Sequence, residues 1–137
     1  MGILDIFGKK EVADELSGKV PFMIRTEFTP YRLKSKERST VSFNINLKNL
    51  TGEPVMSSVV VELPRQLSFD SIGASKQKEV RLGTMAKDDE KSTSIDIFSG
   101  TGTDSGTYTI TLTAFIHYRD YAHVINEVRK RVVLEVV

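Results

Sequence analysis

Apolar and polar residues alternate with a period of two through most of this chain. From Tyr108 the even positions read Tyr108, Ile110, Leu112, Ala114 and Ile116, and the odd ones Thr109, Thr111 and Thr113. Such alternation predicts a β-strand with one buried face and a threonine-rich face in water. Val41, Phe43, Ile45 and Leu47 alternate in the same way with Ser42, Asn44, Asn46 and Lys48. Phe22, Ile24, Thr26 and Phe28 mark a first strand closed by Pro30, and Val59, Val61 and Leu63 mark another that ends at Pro64. Shorter strands are predicted around Val80 and Leu82, ahead of Gly83, and from Ser94 to Phe98 with Ile95 and Ile97 inward. The last runs from Val124 to Val137 through Val128, Val132, Leu134 and Val136. Lys130 falls on its inward phase, so a bulge or a position past the sheet rim is expected there. Seven principal strands result.

The connections between them carry turn chemistry. In Asn49-Leu-Thr-Gly-Glu-Pro54, Gly52 is free for positive φ and Pro54 fixes the exit. Tyr31 to Arg38 is a basic link, Lys87 to Lys91 a solvated charged turn, and Ser99 to Thr103 a flexible corner. Tyr118 to His123 joins two long strands.

The first 20 residues stand apart. Ile3, Leu4, Ile6 and Phe7 form an apolar patch, followed by Lys9, Lys10 and a helix-compatible Glu11 to Leu16. Ile3, Leu4 and Phe7 share a face if the start is helical. A helix of under two turns does not persist alone. It needs a surface: its own sandwich, a second protomer, or a bilayer interface where the lysines meet anionic head groups. Met1-Gly2 does not read as a myristoylation signal, because Ile6 stands where that pattern wants Ser or Thr.

Asp104-Ser-Gly-Thr-Tyr108 resembles the approach to the tyrosine corner of immunoglobulin-like sandwiches, in which the hydroxyl returns to the backbone upstream. Val41 to Asn49, then Val59 to Pro64, then Gly106 to Ala114 looks like the layout of prokaryotic immunoglobulin-like modules of the CARDB and NEW3 type. There, one strand ends in Asn, one ends in Leu-Pro, and one opens with Gly-x-Tyr. The resemblance covers roughly residues 22–137. It implies a sandwich used for adhesion, spacing or protein contact, generally without catalysis, and it brings no fixed functional residues. The expected fold is therefore all-β: a seven-stranded antiparallel immunoglobulin-like β-sandwich over residues 21–137. A short helical, amphipathic segment over residues 1–20 precedes it.

Composition mostly excludes. Net charge is +1 over 137 residues, giving no push toward nucleic acid. Cysteine is absent, which removes disulfides, thiolate metal sites and cysteine nucleophiles together. Asp5 interrupts the N-terminal apolar patch and no cationic region precedes it, so a signal peptide is not expected. A cytoplasmic protein, with or without peripheral membrane contact, is the expectation.

Candidate chemistry is sparse. His117, Tyr118, Asp120, Tyr121 and His123 cluster around the last hairpin turn. A metal or a small ligand would need both imidazoles and the carboxylate to converge; the competing expectation is a polar tip whose histidines face water. Gly100 to Gly106 lacks the lysine and the following helix of a phosphate-binding loop. Asp88, Asp89 and Glu90 lack the spacing of a calcium loop. Ser105 has no histidine base placed beside it. Asn49-Leu-Thr51 has the pattern of a glycosylation acceptor but reads as a turn.

Sheet rims remain, with their unpaired donors and acceptors. Val132 to Val137 is apolar on both phases, so Val133 and Val137 point off the core and must meet something. The function expected is a non-enzymatic interaction module without cofactor or metal. It docks on a protein partner or on itself through Ile3, Leu4, Ile6, Phe7, Val133 and Val137. A cell-surface or appendage subunit, or a ligand or metal binder built on the 117–123 loop, is the alternative.

Overall fold

The computed structural model describes residues 20–137. Eight strands follow in order: β1 (Phe22–Thr29), β2 (Arg32–Leu33), β3 (Ser39–Asn49), β4 (Val55–Glu62), β5 (Gln77–Met85), β6 (Glu90–Ser99), β7 (Gly106–Tyr118) and β8 (Asp120–Val136). They build two sheets, β1-β3-β6 and β2-β8-β7-β4-β5. Between the sheets lie the inward phases read from the alternation. Val41, Phe43, Ile45, Leu47 and Ile97 of the small sheet meet Val59, Val61, Ile110, Leu112 and Leu134 of the large one, all essentially without exposure. Each such side chain contributes roughly 1.5–3 kcal/mol on burial. Phe28 stacks on Phe43 with ring centroids 4.8 Å apart.

Two features of the expected fold need correction. The strand count is eight rather than seven, because the basic link contains β2. Pro30 ends β1, the chain crosses to the other sheet, and Leu33 drops into the core with no exposure. A two-residue strand is too short for alternation to reveal. The sheets are also not wholly antiparallel: Arg32 and Leu33 pair in parallel with Glu135 and Val136, and Arg32 Nε reaches Glu135 Oε1 at 2.8 Å. The remaining strand pairs are antiparallel. Among the described residues no helix occurs. The expected N-terminal helical segment, with Ile3, Leu4, Ile6 and Phe7, lies outside them.

Tyr108 forms the corner that its lead-in resembles: its hydroxyl donates to the Asp104 carbonyl at 2.7 Å. The ring packs against the core. The Ser99 to Thr103 corner is pinned rather than flexible. Thr103 is buried, its hydroxyl donates to Gln66 O at 2.9 Å, and its carbonyl accepts from Lys36 N at 2.8 Å.

Asn49 explains why β3 ends where it does. Its side chain is fully buried. Nδ2 donates toward Glu53 O at 2.7 Å, Ala86 O at 3.0 Å and Met85 O at 3.2 Å. Oδ1 accepts from Thr51 N at 2.9 Å and Thr51 Oγ1 at 2.7 Å. One amide thus ties the β3–β4 turn to the β5–β6 turn, and its nitrogen is committed to the fold.

Candidate interaction surfaces

The longest strand is paired on only one side for most of its length. β7 covers one side of β8 over nearly its whole length, whereas β2 covers only Glu135 and Val136 on the other. From Asp120 to Leu134 no strand of the described residues lies beyond β8. Its rim is flanked by Val124, Ile125 and Val133, which are 50%, 61% and 60% exposed. Val137, at 53%, borders an apolar depression of about 400 Å³ with Pro30, Tyr31 and Leu33.

The direction of the free peptide groups follows from the end of the strand. Val137 N donates to Leu33 O at 2.9 Å, and Val137 O accepts from Ser35 N at 2.7 Å. Peptide groups alternate in direction along a strand. Glu135, Val133, Arg131, Arg129 and Glu127 therefore aim their N–H and C=O outward, and the even residues between them face β7. The alternation breaks at a bulge further along: Ile116 pairs with Asn126 and His117 with Val124, which leaves Ile125 extra.

The other rims are partly blunted by lysines. Lys130, in regular register opposite Leu112, sends Nζ across the opening between the sheets to Ile24 O of β1 at 3.0 Å. It is thus a rim residue, and the bulge lies elsewhere. On the opposite opening, Lys91 of β6 sends Nζ to Leu82 O of β5 at 2.6 Å. Lys91 belongs to the strand rather than to the solvated turn expected of it. Both lysines stand on inward phases at strand positions open to water, and that was the signal available in the sequence. An ammonium on an edge carbonyl discourages the addition of another strand.

The residues of the 117–123 hairpin end do not converge. His117 is buried instead of facing water, with Nε2 2.6 Å from Ser58 Oγ. The bulge turns the hairpin end over the sheet, and Tyr121 covers His117 edge-on with centroids 4.9 Å apart. The Tyr121 hydroxyl accepts from Gly83 N of β5 at 2.9 Å, and the Arg81 guanidinium sits 4.6 Å above its ring. Asp120 turns instead to His123: Nδ1 donates to its carboxylate at 2.7 Å, and Ala122 N at 2.9 Å. Those two bonds, the imidazole's first, hold the Asp120 carboxyl below its ordinary range. Tyr118 is exposed, with Arg119 over its ring at 5.1 Å. Each histidine is committed to a different neighbour. Among the described residues, no three His, Asp or Glu side chains form a group able to hold a metal ion.

Among the described residues, two further concave places stand out. The outer face of β1-β3-β6 forms a groove of about 550 Å³ lined by Arg25, Glu27, Asn44, Asn46, Ser92 and Ser94. Its amides and hydroxyls are largely bonded to one another: Asn46 Nδ2 donates to Ser92 Oγ, Ser94 Oγ to Asn44 Oδ1, and Asn44 Nδ2 to Thr29 Oγ1. That is a cross-strand ladder holding the sheet. The second, about 350 Å³, lies at one end of the sandwich beside Arg38, Arg65 and Lys76. Lys76 Nζ is occupied there by Arg65 O at 2.8 Å and Leu67 O at 2.6 Å, which fastens the β4–β5 loop.

No protein-family model matches the chain, and no curated protein sequence matches it. Solved structures do resemble it. A mutant α2-macroglobulin from Salmonella superposes with TM-score 0.59 at 15% identity over 85% of this chain. This chain spans 7% of the length of that protein. An ASH/PapD-like domain of human CEP192 aligns over 85% of each chain at 13% identity, with TM-score 0.45. The α2-macroglobulin likeness, with the two-sheet topology, shows an immunoglobulin-like β-sandwich. Among the described residues no helix is long and apolar enough to cross a membrane.

Proposed function

We propose that this chain is a non-catalytic interaction module that docks by lending the free edge of β8 to a protein partner. The observation that carries this reading is the unguarded run from Asp120 to Leu134, set against edge strands whose carbonyls at Ile24 and Leu82 are already taken by lysines. An edge of this kind supplies affinity through main-chain bonds and selectivity through the flanking side chains. The apolar patch of Ile3, Leu4, Ile6 and Phe7 is a second docking element, for the partner or for an anionic lipid surface beside Lys9 and Lys10. Val133 and Val137 extend the apolar ground next to the edge. The order of the Asn49, Leu-Pro and Gly-x-Tyr motifs supports placing the module with the CARDB and NEW3 type, and cysteine-free composition supports a cytoplasmic setting.

Arg129→Pro tests the edge. It removes an outward-facing N–H, leaves the bonds to β7 in place, and obstructs an incoming strand. Association measured by sedimentation velocity should fall in that variant, with an unchanged circular dichroism spectrum. Removal of residues 1–18 should weaken association or co-sedimentation with anionic liposomes. If both variants behave as the parent chain does, the docking reading is wrong.

A further inference from the structure

The edge of β8 is complementary to itself, and we infer that its occupant is a second copy of this chain, paired antiparallel about a two-fold axis at Val128. This rests on the edge-docking reading above and fixes both partner and register. In an antiparallel pair, facing residues either exchange both main-chain bonds or turn both away from each other. The outward peptide groups belong to odd-numbered residues from Glu127 to Val133, so a two-fold pairing joins residues of equal parity. With Val128 facing its own equivalent, Glu127 faces Arg129 of the second copy, and Arg129 faces its Glu127. Both are bonded pairs in direction, and both juxtapose opposite charges on the exposed face. Val128 meets Val128 on the inward face, where it is half-buried at the rim of the core.

Neighbouring registers of allowed parity are worse. Centring on Arg129 sets two guanidinium groups face to face, and centring on Lys130 opposes two lysines and pairs Arg129 with Arg131. Like charges directly opposite in a sheet destabilise the pairing. Within one chain Arg129 Nη2 lies 3.7 Å from Glu127 Oε2, with both side chains about half exposed. That contact is loose enough to be exchanged across the axis. Beyond the central residues the two-fold is bounded on the structure's own terms. Ile125 bulges out of register and β2 occupies the edge at Glu135. Between these stops the two large sheets become one continuous ten-stranded sheet.

Charge swapping on the full-length chain tests the register, read as the dimer dissociation constant by sedimentation equilibrium at low salt. Glu127→Arg and Arg129→Glu each turn two opposite-charge pairs into two like-charge pairs. Each should weaken dimerisation by about tenfold or more, and equimolar mixing of the two variants should give a heterodimer tighter than either homodimer. The double variant Glu127→Arg/Arg129→Glu should recover the parental value to within about threefold. Both positions of substitution are exposed, and an unchanged circular dichroism spectrum confirms intact folding. A parental chain that stays monomeric overturns the inference. So does a dimer indifferent to both single swaps. A dimer abolished by Arg129→Pro yet blind to charge leaves edge docking standing with this register wrong, whereas a dimer that survives Arg129→Pro defeats both. Monomers that pair only after removal of residues 1–19 assign the edge to the chain's own N-terminus and overturn the second-copy occupant.

Discussion

Replacing Asn49 tests a buried polar network that spans two turns. In Asn49→Ala the carbonyls of Glu53, Met85 and Ala86 lose their shared donor, and Thr51 N and Oγ1 lose their acceptor. Water can reach Glu53 and Ala86, which lie at exposed residues, but Met85 is buried. One stranded buried carbonyl and the loss of about two net hydrogen bonds imply roughly 2–4 kcal/mol of destabilisation. Asn49→Asp is nearly the same size and should cost more, because a carboxylate would face three carbonyl oxygens with no exposure. Leaving an unpaired buried charge costs about 3–5 kcal/mol. Thr51→Val, at an exposed position, should cost no more than about 1 kcal/mol. Urea unfolding followed by circular dichroism should give the lowest midpoint for Asn49→Asp, the next for Asn49→Ala at about 1–2 M below the parent, and the highest of the three for Thr51→Val, with the slope unchanged. An Asn49→Ala midpoint equal to that of Thr51→Val would refute the claim that this amide holds the two turns together.

The lysines across the two openings should each be worth about 1–2 kcal/mol, the range for a charged donor on a carbonyl that water can partly replace. Lys130→Met and Lys91→Met should lower stability by that amount and speed hydrogen exchange in β1 and β5 respectively; unchanged exchange in both would show that the contacts do not clamp those edges. Asp70 gives the acid response of the β4–β5 loop. The Ala74 amide chiefly, then that of Ser75, hold its carboxyl below its ordinary value of 3.8. A depressed folded pKa means stabilisation that is complete above the unfolded value and lost as pH falls through the folded one. Asp70→Asn should therefore flatten the fall in melting temperature below about pH 4, and a variant that retains the parental acid slope would assign that slope to other carboxylates.

The alternation in the sequence was enough to place seven strands and nearly the whole core, because a half-buried sheet writes its two faces onto successive residues. It failed at β2, where two residues carry no period, and at Ser57 and Ser58, buried polar residues beside the β4–β5 bulge. Asp104 to Tyr108 made its corner legible because the tyrosine bonds only four residues back. Asn49 looked like a turn residue for the same local reason, yet its nitrogen answers to Met85 and Ala86, a partnership that no local spacing announces. His117 misled as well. Its neighbours in sequence suggested a solvated tip, but Ser58 and the folded-back Tyr121 reach it from elsewhere in the sheet.

Sequence position alone would make β1 as attractive a docking edge as β8, since both end their sheets in the apolar pattern. The lysines decide between them. Lys130 stands on β8 but spends its charge on β1, so one side chain closes the neighbouring edge while leaving the outward peptide groups of its own strand free. Its aliphatic stem occupies the opening between the sheets, where a leucine at the same position would widen the apolar strip of Val128 and Val132. A wider strip would favour indiscriminate association. With lysine there, adhesion at the rim depends on main-chain bonds and on the alternating charges of Glu127 and Arg129, and an edge read through charge is one that discriminates among partners.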